Sequence, residues 1–178
     1  MGLNTKTLLL LGALAGILAG CGGGNGSTTI TTPPPAGTQI YVANYGTSSV
    51  ITESLQGVQD GAISGLAAPI SLAFDSAGTL YVGSKTDNSV LKVDSTGHVS
   101  TLASKVNAPY GEALDTLGNL YVSSRTDGTI LKITPDGSST TFATGLTSPT
   151  VLAFDHNGSL YVANTGTSQI LKIAPDST

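Results

Sequence analysis

A 40-residue repeat is the feature of this sequence that most constrains its fold. The segment Pro149-Thr-Val-Leu-Ala-Phe-Asp-His-Asn-Gly-Ser-Leu-Tyr-Val has counterparts that begin at Pro69 and Pro109, which gives a period of 40 residues. A fourth, partial copy is visible as Ile40-Tyr41-Val42-Ala43-Asn44. Repeats of this length are typical of proteins that pack one structural unit against the next, so the repeat constrains architecture more tightly than chemistry.

Each copy predicts four short strands joined by tight turns. In the middle copy, alternating apolar residues predict strands at 110–114, 120–123, 129–133 and 139–143, and the intervening turns contain Asp and Gly. Only 10% of the residues are charged and Gly is abundant, which suits strands and turns better than a helical bundle. Four antiparallel strands per repeat are typical of a propeller blade. The sequence therefore predicts an all-β fold, a β-propeller of about three and a half to four blades whose ring is incomplete or partial unless another segment or copy closes it.

The residues that recur in all three fuller copies resemble a known repeat family. In the middle copy the identical positions are Pro109, Ala113, Asp115, Gly118, Leu120, Tyr121, Val122, Leu131 and Lys132. The pattern Pro-x-x-x-Ala-x-Asp-x-x-Gly-x-Leu-Tyr-Val resembles the NHL repeat of six-bladed, TolB-like β-propellers, from Ile40 to the C-terminus. The resemblance implies the fold, but this scaffold supports lyases, lactonases, sensors and adaptors alike.

The repeats depart from the NHL pattern at two positions. Where the family usually has Asp after the second strand, this chain has Asn44, Ser84, Ser124 and Asn164. Where the family usually has Arg before the third strand, it has Ser49, Ser89, Thr129 and Gln169. Because that Arg is missing and the net charge is −4, we do not expect nucleic acid as a partner.

The N-terminus predicts an exported, lipid-anchored protein. An apolar run at 8–18 follows Lys6 and ends in Leu18-Ala19-Gly20-Cys21, which resembles the bacterial lipobox. Cys21 is the only cysteine, so no disulfide can form within the chain. Residues 1–21 are therefore predicted to be a lipoprotein signal peptide, and Cys21 the site of lipidation that holds the protein on a membrane. Gly22 implies the periplasmic face of the outer membrane in a Gram-negative host, so the predicted location is the cell envelope.

The remaining chain divides into a tether and the repeats. Residues 22–37 are rich in Gly, Thr and Pro and predict a tether. Residues 38–178 hold the repeats, with boundaries at 38–68, 69–108, 109–148 and 149–178.

Closure of the ring stays open at this point. The repeats supply 14 strands, so either residues 27–32 add the missing outer strand, or the chain is a fragment, or a second copy completes a half-ring. Residues 27–32 are read equally well as a Thr-rich linker. An unpaired strand edge beside Leu171 would favour self-association.

Residues that could bind metal or catalyse a reaction are sparse. His98 and His156 lie far apart in the sequence and in turns, where solvated side chains are expected. The repeated Asp75, Asp115 and Asp155 suit turn capping better than a calcium site. Lys92, Lys132 and Lys172 recur in the third strand, where their stems should cover apolar surface. We predict no catalytic residue, no metal and no cofactor.

Positions where the copies differ indicate where a ligand would bind. Glu112 stands where the other copies have Leu72 and Leu152, and it is flanked by Tyr110 and Gly111. In one repeat-equivalent loop the chain has Tyr45, Lys85 and Arg125, and the last two are followed by Asp87 and Asp127. Either these residues form a ligand-facing surface, or Glu112 points into a wet central channel and the loops are merely solvated.

These residues favour a binding module over an enzyme. The predicted function is binding or interaction with an unknown protein, peptide or polymer in the cell envelope. The alternative is an enzyme that resembles lactonase-like or lyase-like propellers.

Overall fold

The computed structural model describes residues 39–54 and 57–175, which form an incomplete β-propeller of antiparallel sheets. The first sheet contains β1 (Gln39–Asn44), β2 (Ser49–Ser54) and β3 (Gln59–Ser64). The second contains β4 (Pro69–Phe74), β5 (Leu80–Ser84), β6 (Ser89–Val93) and β7 (Val99–Ser104). The third contains β8 (Pro109–Leu114), β9 (Leu120–Ser124), β10 (Thr129–Ile133) and β11 (Ser139–Ala143). The fourth contains β12 (Pro149–Phe154), β13 (Leu160–Asn164) and β14 (Gln169–Ile173).

The predicted all-β propeller is confirmed, and the predicted strands of the middle copy match β8 to β11 to within one residue at each end. Short 3₁₀ turns at Tyr45–Thr47 and Thr165–Thr167 follow β1 and β13. Among residues 39–54 and 57–175, no helix is long and apolar enough to span a membrane. The predictions for the signal peptide, Cys21, the tether and the strand at 27–32 fall outside the described residues.

The sheets are called blades one to four in chain order, and the two terminal blades are incomplete in different ways. In blades two and three the strands lie in chain order, with β4 and β8 innermost. By the 40-residue repeat, β1 corresponds to β5, so blade one lacks its innermost strand among the described residues. Blade four has β12, β13 and β14 but no fourth strand beside β14 within residues 149–175.

The hydrophobic core consists of clusters that lie between successive blades. Between blades two and three, Tyr81 and Val90 pack against Leu120 and Val122. The same pairing recurs between blades three and four, where Tyr121 and Ile130 pack against Leu160 and Val162. Each blade thus has a leading face, with the Leu and Val of its second strand, and a trailing face, with the Tyr of that strand. This alternation explains why Leu-Tyr-Val is identical in the fuller copies.

The recurring aspartates cap turns, as predicted. Asp75 Oδ1 accepts hydrogen bonds from the backbone N–H groups of Ala77 at 2.9 Å and Thr79 at 2.8 Å. Asp115 and Asp155 accept the equivalent bonds in their own turns. The Tyr81 hydroxyl donates to Asp75 Oδ2, and burial together with the Asp75 charge raises the pKa of Tyr81 to about 12. Each Asp therefore fixes a turn, and calcium is not needed to explain its recurrence.

Two of the three predicted third-strand lysines, Lys132 and Lys172, lie over tyrosine rings. Lys132 Nζ is 5.6 Å from the ring centroid of Tyr121, and Lys172 Nζ is 5.4 Å from that of Tyr161. Lys172 Nζ also lies 3.5 Å from Asp155 Oδ2. The prediction that the stems cover apolar surface is consistent with this geometry, which adds a cation–π contact.

Candidate functional site

The antiparallel order of the strands places the connections at two opposite ends of the blades. One end, here called the hairpin end, carries the turns at 75–79, 94–98, 115–119, 134–138 and 155–159, together with the connection between β2 and β3, of which residues 57 and 58 are described. The other, here called the linker end, carries the loops between second and third strands and the links between blades, at 45–48, 65–68, 85–88, 105–108, 125–128, 144–148 and 165–168. The loop residues predicted to face a ligand therefore share one end of the molecule.

Charge is divided between these two ends. Each of these five turns contains an aspartate, and none of them contains Lys or Arg; the aspartates are Asp75, Asp94, Asp115, Asp136 and Asp155. The described part of the β2–β3 connection, Gly57 and Val58, carries no charge. At the linker end the described loops contain the cations Lys85, Lys105 and Arg125, which are spaced 20 residues apart, together with Asp87 and Asp127. Although the net charge of the chain is negative, the described loops of the linker end therefore carry more cations than anions, three against two.

Two of the predicted loop cations lie over predicted tyrosines. Lys85 Nζ is 5.4 Å from the ring centroid of Tyr45, and this contact joins blade two to blade one. The Arg125 guanidinium carbon is 5.5 Å from the ring centroid of Tyr110, within blade three. Contacts of this kind hold a cation in place while its N–H groups remain able to donate outward. The structure therefore brings together Tyr45 with Lys85, and Tyr110 with Arg125.

The two predicted loop aspartates differ in their surroundings. Asp127 accepts hydrogen bonds from Asn107 Nδ2, at 3.0 and 3.1 Å to its two oxygens, and from Ser124 Oγ at 2.9 Å. It therefore fixes its own loop against the link that precedes blade three. Asp87 is exposed, and its repeat position matches that of Asp127.

Three of the four residues at the first position that departs from the NHL pattern, Ser84, Ser124 and Asn164, hold loops. Ser84 Oγ donates to the Ala67 carbonyl at 2.7 Å. The single hydroxyl proton of Ser124 is shared between two acceptors, the Asn107 carbonyl at 2.8 Å and Asp127 Oδ2 at 2.9 Å. Asn164 Oδ1 accepts from the Thr147 N–H at 2.7 Å. Each of these side chains ties a blade to the link that precedes it.

Glu112 lies on β8, between blades two and three. Both of its carboxyl oxygens are shielded from solvent and have no hydrogen-bond partner within residues 39–54 and 57–175, and the same is true of the nearby Ser71 Oγ. A β-carbon built on Gly83 would lie 2.2 Å from Ser71 Oγ and 3.3 Å from Glu112 Oε1, so Gly83 leaves the space that the Ser71 hydroxyl occupies and relieves a tight contact with the carboxyl group. Glu112 therefore points into an inter-blade pocket and not into a wet channel.

Burial changes the acidity of Glu112. Removal from water raises the pKa of its carboxyl group from 4.5 to about 8. The Ser71 hydroxyl opposes this rise, although the two groups do not meet hydrogen-bond geometry and each oxygen remains unpaired. Near neutral pH the group is thus mostly protonated, and it could donate or accept a proton.

Sequence reasoning singled out Glu112 but missed Ser71 and Gly83, which complete its pocket. A signal was present, because Gly83 stands where the other copies have Ala43, Ser123 and Ala163. Gly83 in blade two and Glu112 in blade three both depart from the repeat, and the two residues lie next to each other. A β-bulge after Pro109 also shifts the register of β8 against β9 just before Glu112.

Comparison with solved structures places the chain among β-propeller proteins. It is similar to a streptogramin B lyase, at 15% identity and a TM-score of 0.69, over 83% of this chain and 51% of that chain. A candidate gluconolactonase matches at 15% identity and a TM-score of 0.64, over 78% and 57% of the two chains. An auxiliary nutrient-binding protein from Bacteroides thetaiotaomicron matches at 15% identity and a TM-score of 0.63, over 79% and 46%.

Identities this low establish the fold and no more. The chain spans about half the length of these neighbours. No family model and no curated protein matches the sequence. The class defined by the fold is thus an incomplete β-propeller.

Proposed function

We propose that this chain is a lipid-anchored, NHL-type propeller that acts as a binding module in the bacterial cell envelope, and that its linker end binds a carboxylate-bearing polymer or peptide. The observation that supports the proposal is the division of charge. Lys85, Lys105 and Arg125 gather at the linker end, whereas the hairpin end is acidic. The described loops of the linker end hold these three cations against Asp87 and Asp127, and two of the cations are held over aromatic rings, which favours an anionic ligand at that end.

The direction of β1 supports the same assignment. Because β1 corresponds to the second strand of a blade, it runs from the hairpin end to the linker end. The predicted tether at 22–37 therefore meets the described structure at the hairpin end. An anchor attached there leaves the linker end free to meet a ligand.

The ligand proposal predicts charge-dependent binding to an envelope polymer. Isolated peptidoglycan sacculi, whose stem peptides carry carboxylates, are the probe in a co-sedimentation assay with the full chain in mild detergent. Lys85→Gln and Arg125→Gln should each weaken binding roughly tenfold, because each removes a charge-assisted hydrogen bond. Raising the salt concentration should weaken binding further.

Lys172→Gln is the matched control, because it removes the same charge from β14, away from the linker end. Sacculi whose carboxylates have been converted to amides should not bind. Equal binding by the Arg125→Gln variant and the unaltered chain, or binding that survives amidation, would contradict the proposed ligand.

The anchor is tested separately at Cys21. We expect Cys21→Ser to shift the protein from the detergent-extracted membrane fraction to the soluble fraction, because several acyl chains anchor far more strongly than a polypeptide surface. Cell fractionation after a salt wash measures this. A variant that stays with the membranes would show that the lipobox interpretation is wrong.

A second candidate function is an enzyme of the lactonase or lyase type. The observation in its favour is Glu112, a buried carboxyl group whose pKa is raised to about 8 and which could act as a general acid or base. Similar structures include a streptogramin B lyase and a candidate gluconolactonase. Turnover of a panel of lactones that disappears in Glu112→Gln would favour the enzyme over the binding module.

A further inference from the structure

Lys105 is an unusual residue for its backbone position in the link between blades two and three. Its φ is 62°, in the left-handed region, and the residues at the same repeat position, Gly65 and Gly145, have φ values of 79° and 76°. Glycine adopts this conformation at no steric cost, whereas the β-carbon of any other residue crowds its own backbone. At this position of the link, Lys105 therefore carries a side chain in spite of local strain.

A small shift of the link does not relieve the strain, because hydrogen bonds hold the link on both sides. The next residue, Val106, is buried in the core between blades two and three, and its N–H donates to the Asn88 carbonyl at 2.9 Å. The Ala108 N–H donates to Asn88 Oδ1 at 2.9 Å, and the Ala108 carbonyl accepts from the Arg125 N–H at 3.2 Å. The link is thus bonded to the loop of blade two on one side and to the loop of blade three on the other.

These hydrogen bonds place three cations on adjoining segments of the linker end. Lys85 lies in the loop of blade two, Lys105 in the link, and Arg125 in the loop of blade three. Lys85 and Arg125 each lie over a tyrosine ring, which holds them in place. Because the link lies between the two loops, Lys105 is the middle member of the three.

Contacts within the chain do not account for the lysine at this strained position. Lys105 is exposed, and its side chain makes no ion pair, hydrogen bond or ring contact within residues 39–54 and 57–175. The carboxylate of Asp127 in the loop of blade three is instead bound by the neutral side chain of Asn107, two residues after Lys105. A strained residue whose side chain has no stabilising contact of its own points to a functional role.

We propose that Lys105 is the central binding residue of the linker end, and that with Lys85 and Arg125 it selects ligands that carry several carboxylates close together. This assignment rests on the proposed function of the linker end and deepens it. A lone carboxylate cannot engage all three cations at once, whereas a run of carboxylates can, so that affinity depends on several charges in one molecule. The link thereby loses stability in order to hold a cation at the centre of the site.

The first test measures stability and binding in the same variants. The full chain in mild detergent is titrated calorimetrically with a hexaglutamate peptide, a soluble probe with closely spaced carboxylates, and its urea midpoint is measured separately. Lys105→Gly should weaken binding roughly tenfold, because it removes a charge-assisted interaction. It should also raise the urea midpoint, because glycine adopts the left-handed conformation without strain. Lys105→Gln should weaken binding to the same extent without raising the midpoint.

Two controls separate charge from backbone strain. Lys172→Gln removes the same charge from β14, away from the linker end, and should leave hexaglutamate binding unchanged. Gly145→Ala adds a β-carbon at the equivalent position of the next link, where no described atom beyond the chain neighbours lies within 4 Å. Because it introduces only the strain, Gly145→Ala should lower the urea midpoint.

The second test concerns the number of carboxylates in the ligand. Acetate at the same concentration of carboxylate should not displace hexaglutamate, because each acetate ion carries a single charge. Displacement by acetate at that concentration would show that the selection for several carboxylates is wrong.

The failure of this inference can be distinguished from the failure of the proposed function. If Lys105→Gly binds hexaglutamate as tightly as the unaltered chain while Arg125→Gln binds more weakly, the role of Lys105 is wrong and the proposed function stands. A lower urea midpoint for Lys105→Gly would show that the lysine stabilises its link, which also contradicts the inference. An unaltered chain that binds sacculi but not hexaglutamate would refute the inference alone, and one that binds neither would refute the proposed ligand as well.

Discussion

Glu112→Gln is expected to make the chain more stable at pH 8.5 and to remove a large pH dependence of its stability. The ordinary pKa of the carboxyl group is 4.5, and burial raises it to about 8 in the folded protein. Between these values the unfolded chain has lost the proton while the folded chain keeps it, so stability falls as pH rises. Across this window the loss is roughly 4 to 5 kcal/mol, a substantial part of the stability of a typical domain.

Urea denaturation at pH 5 and pH 8.5 measures this effect. The unaltered chain should lose stability between the two, and Glu112→Gln should lose far less because the amide does not ionise. Asp87→Asn is the control, since it removes an exposed carboxylate from a loop. Hydrogen bonds lower the pKa values of Asp94, Asp136 and Asp155, so their contributions disappear only when pH falls below the usual range of an aspartate. If Glu112→Gln keeps the full slope, the carboxyl group is not buried as described.

The repeated part of the fold could be predicted because its causes are local. Asp75 caps a turn four residues long, and Leu80, Tyr81 and Val82 alternate between the two faces of one strand. Turn residues and the alternation of apolar side chains depend only on adjacent residues, and both recur in every repeat. The prediction made for one repeat can therefore be checked against another. This is why the predicted strands agree with β8 to β11.

The pocket around Glu112 could be predicted only in part because its walls are distant in sequence. Ser71 and Gly83 lie in blade two and Glu112 in blade three, and no local pattern connects them. The replacement of Leu by Glu at residue 112 can be seen in the sequence. The direction in which the Glu112 side chain points, however, depends on a β-bulge and on the missing side chain at residue 83. The roles of Asp127 and Ser124 were likewise hidden, since each depends on a contact with Asn107.

The sequence repeat also does not determine what covers the last blade at the open edge of the ring. The repeat predicts which face of blade four is apolar, but the same pattern is compatible with a following blade, an added strand or a second copy. Solvent exposure distinguishes the apolar residues of blade four from their repeat equivalents, because Ile170 is exposed whereas Ile130 is buried. That difference arises from the arrangement of whole blades and not from neighbouring residues.

Gly111→Ala should destabilise the chain by about 3 kcal/mol or more, because the backbone of blade four lies against this glycine of blade three. A β-carbon at residue 111 would lie 2.1 Å from the Thr150 carbonyl oxygen and 2.9 Å from its carbonyl carbon, which are backbone atoms of blade four and cannot rotate away. The clash would also strain a bridge in which Ser123 Oγ accepts from the Gly111 N–H at 2.8 Å and donates to the Thr150 carbonyl at 2.7 Å.

Val151→Ala is the matched control for this prediction, because residue 151 occupies the same position of the repeat in blade four. Its side chain is exposed, so the substitution should change the stability of the single chain by less than about 1 kcal/mol. Urea denaturation at a protein concentration low enough to keep the chain monomeric compares the two variants. Since the cost of Gly111→Ala arises from fixed backbone atoms, it should persist at every pH and salt concentration, unlike the effect of Glu112→Gln. Similar midpoints for Gly111→Ala and Val151→Ala would mean that blades three and four do not pack as closely as this backbone contact requires.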